Sequence, residues 1–203
     1  MDWFKKYKEG LSLGGRYESI EMTLVELLKR KDNQGVIVET GTTRLPDDWG
    51  AGMATLVFGD FCKEHNFHLF TVDNDSNAIE IAKEVTKEFA VFTTYVVNDS
   101  IAFLQRFDQP IDLLYLDSMD CPEYDSPTSP QLIASQIHQE LELKAAWSKL
   151  SKDPVILLDD NQFANGGKTK LAKVLLKKRG FKELDTVSGK QSLWIRGGDE
   201  SGR

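Results

Sequence analysis

A chain of 203 residues with 40% hydrophobic and 28% charged content has the composition of one folded domain, neither disordered nor membrane-spanning. Its net charge of -7 and pI near 5.1 weigh against a chain-wide surface for nucleic acid or anionic membrane, and favour a small or neutral substrate. A charged start without an apolar core, no run of about 20 apolar residues, and two cysteines without framework spacing point to a cytoplasmic protein with reduced thiols.

Residues 1–17 are expected to form an N-terminal lid or arm. The spacing of Ile20, Leu24, Leu27 and Leu28 predicts a helix over 19–31. A turn signal, Asn33-Gln34-Gly35, introduces the first strand, Val36-Ile37-Val38, which runs into Glu39-Thr40-Gly41-Thr42-Thr43. Residues 44–52 are mostly turn formers and predict a flap ahead of a helix over 52–65, with Cys62 as a core filler. Leu69-Phe70-Thr71-Val72-Asp73 is the second strand. Asn77 and Glu80 mark the start of a helix over 77–88. The third strand lies in 91–97, rich in β-branched and aromatic residues, and the fourth is Ile111-Asp112-Leu113-Leu114-Tyr115-Leu116-Asp117. Three prolines stiffen the loop 120–130, where Tyr124 and Asp125 are candidate substrate contacts.

A helix over 130–150 carries Ile133, Ile137 and Leu141 as one apolar stripe, and the fifth strand runs from Pro154 to Asp159. In a helix over 167–179, Lys168, Lys170, Lys173, Lys177, Lys178 and Arg179 read as a solvated face against Leu171, Val174 and Leu175, with Gly180 as the stop. Two short strands, 181–187 and 191–196, joined by Ser188-Gly189-Lys190, close the domain, and 197–203 is a flexible tail. Strand-length apolar runs alternating with amphipathic stretches predict an α/β domain over 18–196. Its expected architecture is three-layer, Rossmann-like and doubly wound, mainly parallel, with a C-terminal antiparallel hairpin.

The chemistry sits at strand ends. Gly41 lets backbone N–H groups approach a ligand after Glu39, and Asp73 is placed to take the two hydroxyls of a ribose. No G-x-G-x-x-G follows, so nothing cradles a pyrophosphate. A cofactor with a ribose and no phosphate fits; adenosylmethionine is of that kind, and its sulfonium suits an acidic lining. Asp73 follows Glu39 by 34 positions, against about 20 in a standard unit, and the 44–52 flap accounts for the excess.

Val36-Ile37-Val38-Glu39-Thr40-Gly41-Thr42, the Asp73 strand end, Asn98-Asp99-Ser100, Leu116-Asp117 and Leu158-Asp159-Asp160-Asn161 resemble the successive motifs of class I adenosylmethionine-dependent methyltransferases. The resemblance implies that Glu39 and Gly41, with Thr40 between them, face the methionine part and Asp73 the ribose. It places Asp99 at the adenine amino group with Ser100 beside it, and Asp117 in the cofactor lining. The family's second glycine is displaced by residues 44–49, which leaves the part of Gly50 or Gly52 open.

Asp117, Asp159, Asp160 and Asn161 converge at the ends of the fourth and fifth strands, and hard oxygen donors of this kind suit Mg²⁺ or Ca²⁺. A metal there would orient a hydroxyl and lower its pKa. The set is similar to that of catechol O-methyltransferase-like enzymes, with Asp160 and Asn161 as the pair. It is also similar to that of macrolide-sugar O-methyltransferases, with Asp159 and Asp160; the same acids equally read as helix caps or crevice lining. Catechol-type enzymes carry a lysine base shortly after the fourth-strand aspartate, and Asp117-Ser118-Met119-Asp120 has none. Asp120 is therefore a candidate base, unless the metal alone suffices, and Asp117 is a further candidate catalytic residue; His138, about 12 Å along its helix, is another, against a helix-surface hydrogen-bonding role. The expected activity is methyl transfer to an oxygen of a small molecule such as a sugar or secondary metabolite, with no nucleic-acid or membrane partner and with a homodimer allowed. The rivals are a methyltransferase-like binding module and a metal-dependent enzyme that works without adenosylmethionine.

Overall fold

The computed structural model describes residues 3–31, 34–50, 53–121, 126, 128–186 and 188–197. Asn33, Gly52, Tyr124, Asp125 and the tail beyond Gly197, singled out above, lie outside them. Seven strands form one sheet: β1 (Val36–Thr40), β2 (His68–Asp73), β3 (Thr93–Val97), β4 (Ile111–Leu116), β5 (Leu150–Leu158), β6 (Phe181–Leu184) and β7 (Ser192–Arg196). Their spatial order is β3-β2-β1-β4-β5-β7-β6. β1 to β5 pair in parallel, while β7 is antiparallel to both β5 and β6. The expected Rossmann-like sheet with an antiparallel C-terminal hairpin is what the chain forms. Strand order reverses between β1 and β4, and such a switch point opens a crevice at the carboxyl ends of the strands.

Among the described residues seven α-helices flank the sheet: α1 (Lys8–Leu13), α2 (Tyr17–Arg30), α3 (Ala54–His65), α4 (Ser76–Val85), α5 (Ser100–Arg106), α6 (Pro130–Ala146) and α7 (Lys170–Lys178). Because side chains alternate across a strand, Leu113 and Tyr115 of β4 enter one core with α1, α2 and α3. Leu114 and Leu116 enter the other, with α6 and α7. Burial on both faces is why these strands read as unbroken apolar runs. Cys62 is fully buried in the first core, as expected. No helix among the described residues is long and apolar enough to cross a membrane.

Several details depart from the sequence reading. Residues 3–17, expected as a lid or arm, are part of the body: Phe4 and Leu11 have no exposed surface and belong to the first core. α5 had no counterpart in the periodicity, because seven residues are too few to display it. α4 begins one residue earlier than expected and is capped by Asp75, whose carboxylate accepts from the Asn77 N–H. α6 reverses the expected orientation. Its stripe of Ile133, Ile137 and Leu141 is exposed, and its inner face buries Ser135, Gln136, Gln139 and Glu142 alongside Leu132, Leu143 and Ala146. The amide nitrogens have partners: Gln136 donates to the Gly167 carbonyl at 2.8 Å and Gln139 to the Leu116 carbonyl at 3.2 Å, while the Gln139 oxygen has none.

Candidate functional site

The ends of β1, β2 and β4 are stitched together by the backbone. The Gly41 N–H donates to the Val72 carbonyl at 2.8 Å, and the Asp117 N–H to the Thr40 carbonyl at 2.9 Å. Gly41 has φ +81°, and a Cβ there would lie 2.3 Å from the Asp117 carbonyl oxygen. Only glycine permits this turn and this approach. Beside it opens a cleft of about 550 Å³ lined by Glu39, Gly41, Thr42, Asp73, Tyr115 and Asp117 among others.

Glu39 is 1% exposed. Its carboxylate accepts from the Thr71 hydroxyl at 2.7 Å, and Thr71 also reaches Thr42. Burial pushes the Glu39 pKa up to about 8; the hydroxyls of Thr71 and Thr55 oppose that rise and the charge of Asp73 adds to it. Asp73 holds two backbone amides, Thr42 at 3.2 Å and Asp75 at 2.9 Å, one on each oxygen. A carboxylate has about four acceptor positions, so both oxygens keep capacity for a ligand. Thr40 departs from expectation. Strand alternation turns its side chain to the opposite face from Glu39, where it is fully buried and its hydroxyl has no partner.

A second chamber of about 220 Å³ adjoins the first, sharing Asp73, Asn74, Ser118 and Met119 with it, and adding Asn98, Asp99, Ser100 and His138. Asp99 caps α5 by accepting from the Ala102 N–H at 2.8 Å. The Ser100 hydroxyl lies 3.2 Å from His138 Nε2, and the same nitrogen is 3.7 Å from the Glu142 carboxylate, an ion pair rather than a hydrogen bond. Glu142 holds the His138 pKa above its ordinary value despite partial burial. Glu142 in turn accepts from Ser118 at 2.7 Å. His138 thus lines the chamber remote from Glu39.

The flap is fastened at both ends. Arg44 forms a two-pronged pair with Asp120, both bonds 2.9 Å, across the mouth of the first cleft. This pair holds the Asp120 carboxyl below its ordinary range. Asp120, expected as a candidate base, is therefore a weakened one. At the other end the Trp49 ring packs 6.2 Å from Tyr7, and Arg16 donates to the Gly50 carbonyl at 3.0 Å.

The expected metal set is corrected by its surroundings. Lys168, read from the sequence as solvated, is 1% exposed. Its ammonium lies 2.7 Å from Asp117, 3.3 Å from Asp160 and 3.0 Å from the Met119 carbonyl. Arg16 pairs with Asp159 at 2.8 Å, and Asp159 also accepts from Tyr115, Gln191 and the Asp160 N–H. Asn161 points elsewhere: its oxygen accepts from Thr169 and Lys173, and its nitrogen donates to the Gly189 carbonyl. The oxygens proposed as metal ligands are engaged by the chain's own donors, and the donor set does not fit Mg²⁺ or Ca²⁺. Of the four residues only Asp117 faces the cleft. Burial beside Asp159 pushes its pKa up, with Lys168 opposing; Asp159 itself is brought down by Arg16 and Lys168 against the effect of burial.

Lys168 and Arg16 were missed because hydropathy puts a lysine or arginine on the surface. A signal was available: each follows a glycine pair, Gly166-Gly167-Lys168 and Gly14-Gly15-Arg16, which takes it out of the helical run.

A methyltransferase domain family matches residues 48–161, more than half of the chain. The chain belongs to this family. The match begins in the flap and takes in Asp73, Asp99, Asp117, Asp159 and Asp160, but not the Glu39-Gly41 turn. No curated protein matches the chain. Solved structures share the methyltransferase fold. An adenosylhomocysteine-bound methyltransferase from Podospora anserina has a TM-score of 0.62 at 15% identity, over 91% of this chain and 80% of its own. A TDP-rhamnose 3'-O-methyltransferase of calicheamicin biosynthesis has a TM-score of 0.59 at 14% identity, over 89% and 78%. An rRNA methylase from Streptococcus thermophilus has 0.54 at 12%, over 87% and 94%.

Proposed function

We propose that this methyltransferase-family chain moves a methyl group from adenosylmethionine to an oxygen of a small molecule. The observation that carries the reading is the pair of chambers meeting at Asp73. In this assignment Asp73 takes the ribose hydroxyls, while Asp99 and Ser100 sit beside the adenine. Glu39 and the Gly41 turn receive the methionine part, and Asp117 approaches the sulfonium. Adenosylhomocysteine in the Podospora structure supports the cofactor, and the sugar O-methyltransferase supports the acceptor class.

The mouth of the cleft bears Asp48, Asp75 and Asp120 against the single cation Arg44 among its lining residues, a field that repels a phosphodiester backbone. This favours a small acceptor over RNA, although an rRNA methylase shares the fold. Methyl transfer is an in-line displacement, so the site's work is alignment of nucleophile, methyl and sulfur. Asp117, which lines the cleft and leads into the loop of Ser118 and Met119 shared with the second chamber, is the candidate to accept the acceptor's proton, with the Lys168 ammonium 2.7 Å away. The working unit includes residues 3–17, since they hold the flap through Tyr7 and Arg16.

Calorimetry with adenosylhomocysteine tests the assignment. Binding is expected for the wild type, weakened roughly 10- to 100-fold in Asp73→Ala through loss of hydrogen bonds to a charged acceptor. No heat with the wild type, or equal affinity in the variant, overturns the cofactor reading. Label from methyl-labelled adenosylmethionine appearing in RNA, and in no hydroxyl compound of a sugar and phenol panel, overturns the acceptor class.

A further inference from the structure

We propose that Lys168 is the resident cation of this site. Its ammonium stands among the strand-end acids where a divalent ion was expected, and holds the β4 loop that walls both chambers. The proposal goes beyond methyl transfer to say what fixes the cleft, and it rests on the adenosylmethionine reading only for its ligand-binding readout.

Three observations place the ammonium. It has three N–H donors and three oxygen partners: Asp117 at 2.7 Å, Asp160 at 3.3 Å and the Met119 carbonyl at 3.0 Å. Its side chain is 2% exposed, so the charge depends on these acids rather than on water. Its backbone is locked as well. The Lys168 N–H donates to the Asp160 carbonyl at 3.1 Å, and Gln136 of α6 donates to the preceding carbonyl, that of Gly167, at 2.8 Å. Gly167 has φ +54°, and a Cβ there would lie 1.9 Å from the Asp160 carbonyl oxygen, so only glycine delivers the lysine along this path.

The cation acts on the cleft through its partners. Ser118 and Met119 line both chambers, and the Asp117 carbonyl is the surface on which Gly41 packs. Releasing Asp117 and the Met119 carbonyl therefore loosens the wall shared by the two chambers and the floor of the Gly41 turn. Lys168 is a positioning residue in this scheme, since it reaches the ligand only through the β4 loop. A divalent ion added to the same acids would lie within about one ion-pair distance of the ammonium, where the repulsion of like charges opposes it.

The test compares wild type with Lys168→Met, using thermal melting and adenosylhomocysteine calorimetry in excess chelator and in excess Mg²⁺. The wild type is expected to show the same melting temperature and the same affinity in both. Lys168→Met is expected to melt roughly 10 °C lower and to bind adenosylhomocysteine about tenfold more weakly. Mg²⁺ is expected to restore part of both in the variant, because the acids have lost their cation. A merely structural lysine would not make ligand affinity respond to Mg²⁺. A wild type that loses melting temperature or affinity in chelator and regains it with Mg²⁺ overturns the proposal. So does a Lys168→Met protein with wild-type affinity, or one in which Mg²⁺ restores nothing. If the variant does not fold, the wild-type chelator comparison decides by itself. If the wild type binds no adenosylhomocysteine, the cofactor reading fails and the melting temperatures still judge Lys168.

Discussion

The two halves of the strand-end crevice solve the same electrostatic problem in opposite ways. At the ends of β1 and β2, Glu39 and Asp73 face the cleft with hydroxyls and backbone amides as partners. At the ends of β4 and β5, Asp117, Asp159 and Asp160 lie against Lys168 and Arg16. A carboxylate whose charge the chain itself neutralises is part of the scaffold. One left with spare acceptor positions beside a cavity is available to a ligand. Strand-end acids that look alike in sequence thus divide into two groups, with Asp117 touching both.

The sharpest way to break this comparison is pH. Glu39 has its folded pKa raised from 4.5 to about 8, so its stabilising effect is greatest below the unfolded value and is lost as pH rises through the folded one. Wild type is expected to lose on the order of 4–5 kcal/mol relative to Glu39→Gln between pH 4.5 and pH 8.5, read from urea unfolding. Parallel pH curves for the two proteins would show that Glu39 is not the buried, cation-free acid described. Asp159 carries the opposite sign. Its pKa is depressed, so its contribution is present above the ordinary carboxylate range and disappears only as pH falls below it.

Removing the cation from the other half comes next. Arg16→Met leaves Asp159 buried with hydrogen-bond donors but without its charge partner, and is expected to destabilise the fold by about 3–4 kcal/mol. It also frees the Gly50 carbonyl, so proteolysis in the flap should quicken in the same variant. A loss within experimental error would make the pair incidental. The smallest expected effect is Gly41→Ala, about 2–3 kcal/mol from a positive φ and the contact with the Asp117 carbonyl, accompanied by loss of adenosylhomocysteine binding. Unchanged binding would remove the Gly41 turn from the site.

The helices on the two sides of the sheet show why some of this was readable and some was not. In α2 the apolar positions Ile20, Leu24 and Leu27 face the core, as the periodicity predicts. In α6 the stripe of Ile133, Ile137 and Leu141 faces outward, and the buried face mixes Leu132, Leu143 and Ala146 with Ser135, Gln136, Gln139 and Glu142. The amides of α6 have work inside: Gln136 donates to the Gly167 carbonyl in the turn before α7, and Gln139 adds a second bond to the Leu116 carbonyl, which already accepts from the Asp159 N–H. No one-dimensional pattern contains that demand. The same limit applies to Lys168, whose partners Asp117 and Asp160 come from two different strand ends.

What the sequence determined by itself is the sheet and the places where it ends. Apolar runs separated by helical stretches specify an α/β domain, and the turn residues after them set Glu39, Gly41, Asp73 and Asp117 at strand ends. These are local properties, carried by side-chain period and by glycine's freedom at positive φ. Tertiary structure alone decided which acids are matched with cations, which way α6 turns, and that residues 3–17 hold the flap. Those outcomes depend on pairings across 143 positions for Arg16 and Asp159 and 51 for Lys168 and Asp117. Charge and hydrogen-bond satisfaction inside a packed core are sums over neighbours, and the neighbours exist only once the chain has folded.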